Sequence, residues 1–307
     1  MLNLRNQVFR PVFNRLHYLL HASINFNPLI SKQINGRKIT NGHIRTEQET
    51  NPLLDTQIIT QLTQQQITNN SYTINNEKFV DYLTKVNYPK DYFGNKERKE
   101  DTFIEKAMEH FVSIELLQPL RDKVVIDIGA ANSPFSAILK THYEVKKAYA
   151  QDLVFKEIIE RNIIGGKASK LPFGDGSVDA LTLHCALEHF EGTNDVDFFK
   201  EAERVLKKGG KCIVLPLYLA SEYTIHLDPV SNILKFYHTD ITDDKDAVVR
   251  YCDSKQHFSR HYNVNTFKKR IVDVTNLDAE ILYVKNFKLI NENSYLRFIG
   301  VFTKQFK

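Results

Sequence analysis

The chain of 307 residues contains no tryptophan, two methionines and three cysteines. The cysteines, Cys185, Cys212 and Cys252, are widely separated and form no Cys-x-x-Cys pair. A disulfide framework and a zinc site are both disfavoured, and no metal site is expected. Cys212 lies in an apolar run, as a reduced core thiol would, so a reducing compartment such as the cytoplasm is expected. No stretch reaches about 18 consecutive apolar residues, the length a membrane-spanning helix needs. The start of the chain lacks the apolar stretch and small-residue cleavage site of a secretory signal. The net charge of +4 is too small over this length to suggest nucleic-acid binding.

Acidic residues are missing from residues 1–46, which carry Arg5, Arg10, Arg15, Lys32, Arg37, Lys38 and Arg45. Val8, Phe9, Val12, Phe13, Leu16, Leu19 and Leu20 fall there at helical spacing. A basic amphipathic helix can pack its apolar stripe on the main body or on a second subunit. It can also lie on an anionic membrane or act as a transit segment. Residues 1–22 are therefore the candidate for a subunit or peripheral membrane contact. Residues 46–76, rich in Gln, Asn and Thr, read as a polar connector with a short helix around 58–62. The resulting organisation is an N-terminal extension over 1–100, mainly helical, and one domain over 101–307.

From residue 101 the pattern becomes regular. Ile104, Met108, Phe111, Val112 and Leu116 predict a helix over 101–118. Strands are expected at 124–128, 148–152, 163–168, 180–184 and 211–217. Helices are expected from Ser133-Pro134, near 155–161, and from about 195 to 207 before Gly209-Gly210. A helix near 265–274 and two strand-like runs, 280–287 and 296–303, close the chain. Alternation of this kind gives an α/β fold, with a Rossmann-like parallel sheet covered by helices on both faces. The last two runs, joined through Asn291-Glu292-Asn293, form a hairpin that adds one antiparallel strand.

Ligands of such sheets bind beyond the carboxyl ends of the strands. The first strand ends in Asp127-Ile128-Gly129-Ala130-Ala131-Asn132-Ser133. A dinucleotide fingerprint would need three glycines in Gly-x-Gly-x-x-Gly, and only Gly129 is present. A carboxylate two residues before the turn would repel a pyrophosphate and suits a ligand carrying an ammonium group. A nicotinamide oxidoreductase is therefore disfavoured.

The stretch Val124–Ser133 resembles motif I of class I S-adenosylmethionine-dependent methyltransferases, of the type 11-like kind. Further ordered matches follow in Asp152, in Gly166–Asp179, in Ala186-Leu187-Glu188-His189-Phe190, and in Glu201–Gly210 ahead of a strand. Together they cover residues of about 120–217. The resemblance implies a seven-stranded, mostly parallel sheet with one antiparallel strand, and S-adenosyl-L-methionine as cofactor. It implies cofactor contacts from Asp127, Gly129, Ala131, Asp152, Leu153, Ala168, Ser169 and His184, with Asp152 on the ribose hydroxyls. Two departures stand out. Ala131 and Ser133 replace glycines but remain small. Lys167 stands where the family often has an adenine-binding Asp, and it has no acceptor atom, which leaves backbone at Ala168 or the side chain of Ser169 for that contact.

For the chemistry, His184 at the end of the fourth strand and His189 in the turn after it are the candidate catalytic residues, with His226 farther along. Cys185 beside His184 invites a nucleophile reading, but no orienting group for it is evident. The acceptor pocket is expected between helix 101–118, with Tyr92 and Phe93, and a substrate-side insertion at about 218–264. The (D/N)PP(Y/F/W) motif of DNA amino-methylating members is replaced by His184-Cys185-Ala186-Leu187, which disfavours DNA. The expected function is methyl transfer to a small-molecule acceptor, on oxygen or nitrogen, such as a sugar, a lipid-linked compound or a secondary metabolite. The alternative is a catalytically inactive relative acting through partner binding, for which Lys167 and the lost glycines are the hints.

Overall fold

A computed structural model of the chain describes residues 40–41, 52–89, 92, 100–156, 162–227, 241–251 and 257–306. The amphipathic segment 1–22, Phe93 and the helix expected near 155–161 lie outside these residues or mostly so. The described part is built on an eight-stranded sheet in the order β2-β11-β12-β7-β6-β3-β4-β5. The strands are β2 Thr68–Tyr72, β3 Val124–Ile128, β4 Lys147–Asp152, β5 Ile163–Gly165, β6 Val178–His184, β7 Leu206–Leu215, β11 Leu277–Val284 and β12 Phe298–Lys304. All neighbouring pairs from β5 to β7 are parallel, and β12 runs antiparallel to both β7 and β11. The antiparallel hairpin expected at the end of the chain is therefore present.

The sheet has one strand more than the seven implied by the resemblance. The eighth, β2, pairs in parallel with β11 from Thr68↔Glu280 to Tyr72↔Val284. It comes from the stretch read as a polar connector. That stretch in fact forms helix α1 (Pro52–Gln64) and then β2. An edge strand is held by its backbone ladder, so Thr-Asn-Asn-Ser-Tyr can serve although nothing in it alternates between polar and apolar. Ile58 and Leu62 of α1 are fully buried, and Arg297 ahead of β12 pairs with Asp55 of the same helix. Asn286 extends the join: its side-chain oxygen accepts from the Ile74 N–H at 2.9 Å, and its amide donates to the Ile74 carbonyl at 2.8 Å.

Period-two alternation divides the core between the two faces of the sheet. Ile126, Leu181, Leu183, Cys212, Val214, Phe298 and Phe302 face one side. On that side lie α1, α5 (Asn194–Val205) and the helix α6 (Val264–Phe267), which continues through a π turn to Val272. Val125, Ala180, Ile213, Leu215, Ile299 and Val301 face the other. There α2 (Asn76–Lys85), α3 (Glu100–Leu117), α4 (Phe135–His142) and the short α7 (Phe287–Ile290) contribute Phe79, Met108, Phe135 and Phe287.

The segment after β7 carries a second sheet. Strands β8 (Thr224–Leu227), β9 (Val248–Tyr251) and β10 (Phe258–His261) join the two-residue β1 (Thr40–Asn41) in the order β1-β9-β8-β10. A buried ionic network fixes this sheet to the main body. Arg260 is fully buried; its guanidinium bonds both oxygens of Asp244, at 3.2 and 3.0 Å, and lies 3.2 Å from Asp195 at the start of α5. Arg270 reaches the same Asp195 at 2.6 and 2.9 Å, and Tyr262 donates to it at 2.8 Å. The Gly192 carbonyl accepts from both arginines.

Removing one member of such a network strands its partners away from water. Arg260→Met is expected to lower unfolding free energy by about 3–5 kcal/mol, read from the urea midpoint at unchanged m-value. Deleting residues 1–75 uncovers the backbone edge of β11. The truncated chain is expected to aggregate or to melt well below the full chain, as light scattering and thermal unfolding would show.

Candidate active site

Register puts the first part of the site together. Asp127 of β3 lies directly beside Thr182 of β6, and His184 follows two residues on, so all three point to the α3 side of the sheet. Asp127 is 1% exposed. Its Oδ1 accepts from the Thr182 hydroxyl at 3.0 Å and meets Nδ1 of His184 at 2.8 Å. The other ring nitrogen of His184 meets the Ser113 hydroxyl on α3 at 2.9 Å. The remaining oxygen of Asp127, Oδ2, is buried with no hydrogen-bond partner among the described residues.

Asp127 lines a cavity of about 680 Å³ together with Pro89, Tyr92, Lys106, His110, His184, Cys185 and the turn Gly129–Ser133. Gly129 has φ +65°, and a Cβ there would come within 2.6 Å of Ala186 Cβ. No other residue fits without displacing the chain after β6. Ala131 also has positive φ, at 41°. Its N–H donates at 2.8 Å to Oδ2 of Asp152, whose Oδ1 accepts from the Val154 N–H at 3.0 Å. Asp152 thus stands at the end of β4 as a brace for the turn. Leu153 beside it is largely exposed, Ala168 is buried and Ser169 half-buried, and Lys167 is exposed. None of Asp152, Leu153, Ala168 and Ser169 lines this cavity, whereas Asp127, Gly129, Ala131 and His184 do.

Of the other histidines singled out in the sequence, His189 bonds the Phe258 carbonyl through Nδ1 at 2.7 Å and faces Glu188 through Nε2 at 3.6 Å. It therefore ties the turn after β6 to the second sheet. His226 lies in β8 of that sheet with its ring 4.5 Å from His261, and burial pushes it down to about 4. Neither lines the cavity.

Helix α3 supplies what the sequence reading missed. Lys106, Glu109, His110 and Ser113 follow the i, i+3, i+4, i+7 spacing of one helical face, and all four are buried. Lys106 Nζ donates to both oxygens of Glu109, at 3.0 and 3.2 Å. Burial pushes Glu109 up to about 7, with Lys106 and Cys185 pulling it partly back. Glu105, also buried, is raised to about 8 by burial and then by the charge of Glu109. His110 is held well below its ordinary range by burial and by the neighbouring His184 and Lys106, so it is neutral. Its Nδ1 meets the Tyr88 hydroxyl at 3.0 Å and its Nε2 the Ser133 hydroxyl at 3.4 Å. The signal was present as a second helical stripe, polar and on the opposite side of the helix from the apolar one, of the kind usually read as a solvated face.

These groups suit S-adenosylmethionine. Asp127 lines the cavity, and its buried Oδ2, without a hydrogen-bond partner among the described residues, calls for a donor, as an ammonium group supplies. Lys106 on the α3 wall offers a cation to a carboxylate. The cavity volume lies in the range of small-molecule sites.

Residues 126–214 match a family model described as a methyltransferase domain. A demethylmenaquinone methyltransferase of Thermotoga maritima is 27% identical over 111 residues, a match that spans 34% of this chain and 48% of that protein. Among solved structures, 1,6-didemethyltoxoflavin-N1-methyltransferase of Burkholderia thailandensis aligns with a TM-score of 0.45 at 12% identity, covering 77% of this chain and 93% of that one. Phosphoethanolamine N-methyltransferase 2 of Haemonchus contortus aligns with a TM-score of 0.43 at 15% identity, covering 74% and 60% respectively. Residues 126–214, which hold the motif turn and the parallel strands around it, are thus similar to a methyltransferase domain.

Proposed function

We propose that the chain transfers a methyl group from S-adenosylmethionine to a small-molecule acceptor, on oxygen or nitrogen. The observation that carries this reading is the unpartnered carboxylate oxygen of Asp127, buried on the wall of the cavity beside the Gly129 turn. When bound, the cofactor supplies an electrophilic methyl group on a sulfonium. The chain's own residues have to bind it, orient it and keep water out.

Asp127 is the proposed seat of the cofactor ammonium and Lys106 of its carboxylate. His184, with one nitrogen on Asp127 and the other on Ser113, fixes the direction of Oδ2 and lines the site. Asp152, Leu153, Ala168 and Ser169 lie along the ends of β4 and β5 and are proposed for the ribose and adenine part. Binding there would draw on the Asp152 carboxylate that now braces Ala131. His189 acts as a tie for the second sheet. The region 101–307 is proposed as the methyltransferase domain, with the acceptor admitted between α3 and the segment 218–264.

Calorimetric titration with S-adenosylmethionine tests the reading, since absence of binding at millimolar ligand would overturn it. Asp127→Asn keeps an acceptor for Thr182 but loses the charge, and is expected to weaken binding about tenfold or more. Asp152→Ala should weaken it as well. Gly129→Ala places a Cβ against Ala186 and is expected to abolish binding, with partial recovery in the Gly129→Ala, Ala186→Gly double variant.

A further inference from the structure

The α3 wall of the cavity holds a second arrangement. Cys185 stands at the end of β6 with φ 49° and lines the cavity. Its thiol donates to Oε1 of Glu109 at 3.3 Å, and the Tyr295 hydroxyl lies 3.6 Å from the same sulfur. Glu109 is itself fully buried and does not line the cavity; Cys185 and Lys106, its two partners, do. The sequence shows no orienting group for Cys185 because Glu109 lies 76 residues away along the chain.

We propose that Cys185 and Glu109 form the proton relay of the acceptor site, and that the acceptor is therefore a group with a proton to lose, an amine or a hydroxyl, rather than a tertiary amine or a thioether. This rests on the methyl-transfer reading above. The thiol is the only part of the pair that meets the cavity, and its hydrogen already points to the carboxylate. In the step, the acceptor nitrogen or oxygen bonds the methyl carbon while the carbon–sulfur bond of the donor breaks, its electron pair staying on sulfur. The acceptor proton passes to Sγ of Cys185 as the thiol proton passes to Oε1 of Glu109. The thiol is unchanged at the end, the carboxylate is protonated, and solvent takes that proton before the next turnover.

The surroundings favour a relay over a nucleophilic thiolate. Burial, and then the charge of Glu109, push the Cys185 thiol well above its ordinary range, so it stays protonated. The charged and titratable groups that act on Glu109 among the described residues are Glu105 and Lys106 on α3, Cys185 and Glu188 after β6, Tyr295 before β12, and Tyr92, and Tyr218 after β7 acts in turn on Cys185 and Lys106. Among them Lys106 holds both carboxylate oxygens and keeps the ionised form in place. The relay can accept a proton only when Glu109 is ionised. The rate is expected to fall as pH drops through about 7.

Two measurements on the full chain test this. In infrared difference titration, the protonated-carboxyl band of Glu109 and the S–H band of Cys185 are expected to change together. Glu109→Gln and Cys185→Ala assign the bands. An S–H band that ignores the carboxyl titration would overturn the proposal, and this arm decides even if no acceptor turns over. In the second arm, S-adenosylhomocysteine release is followed with pooled primary and secondary amines and phenols. Cys185→Ala and Glu109→Gln are expected to lower kcat roughly 100-fold and to lose the limb near pH 7, with KM for S-adenosylmethionine nearly unchanged in Cys185→Ala, which leaves the Lys106–Glu109 pair in place. Cys185→Ser, which keeps a transferable proton, is expected to recover much of the rate. Full turnover and an unaltered pH profile in Cys185→Ala would sink the relay. Failure of S-adenosylmethionine to bind the unaltered chain would instead sink the methyl-transfer reading.

Discussion

A carboxylate at 1% exposure, at the end of a central strand, is the constraint around which the rest of the site is arranged. Burying Asp127 carries a desolvation cost that has to be offset by donors. Thr182 comes from the neighbouring strand by register, and His184 from the next residue on the same face. His184 then needs a partner of its own, which only a helix crossing that face can give. Ser113 fulfils this, and α3 is committed to its place. Once α3 lies there, Lys106, Glu109 and His110 come with it, one to two turns earlier on the same face. A requirement set by one acid on β3 thus propagates into the composition of a helix that precedes it in sequence.

The two ends of the site differ in how far the sequence revealed them. The places of Asp127, Gly129 and Asp152 were legible because they follow from local chain geometry: a strand end, a turn needing positive φ, and the end of the next strand. The parallel sheet with its closing antiparallel hairpin was legible for the same reason, since each element carries its own periodicity. Lys106, Glu109 and Ser113 were not. A helix buried on two sides shows a polar stripe that looks like a surface until its neighbours are known. The strand β2 was hidden because an edge strand is recognised by its ladder, and a ladder leaves no mark on side-chain pattern. The small sheet after β7 joins strands by non-local pairing, as between β8 and β9, and single-chain periodicity does not report such pairs.

The second sheet meets the main body in a different physical regime from the Gly129 turn. Its anchor is a set of charges, Arg260 and Arg270 on Asp195 and Asp244, satisfied among themselves and by the carbonyl of Gly192. Such a network is directional, whereas apolar packing of Phe258, Tyr262 and Phe198 alone would tolerate rotation of one layer on the other. The stack of Tyr218 on His261 at 4.6 Å, and of Tyr218 towards Tyr295, then carries this fixed orientation to the sulfur of Cys185. A position in the insertion and a position in the cavity wall are thereby placed in one rigid frame.

The pairing of β2 with β11 also orders events during synthesis. Thr68 leaves the ribosome long before Glu280, its partner 212 residues later in the chain. Until then the earliest strand of the sheet has nowhere to dock, and α1 has no Arg297 to hold Asp55. Because β11 and β12 follow every other described strand of this sheet, the edge stays open until they are made. Closing the sheet at this edge therefore joins segments separated by more than 200 residues of chain, a long-range contact of the kind that forms slowly.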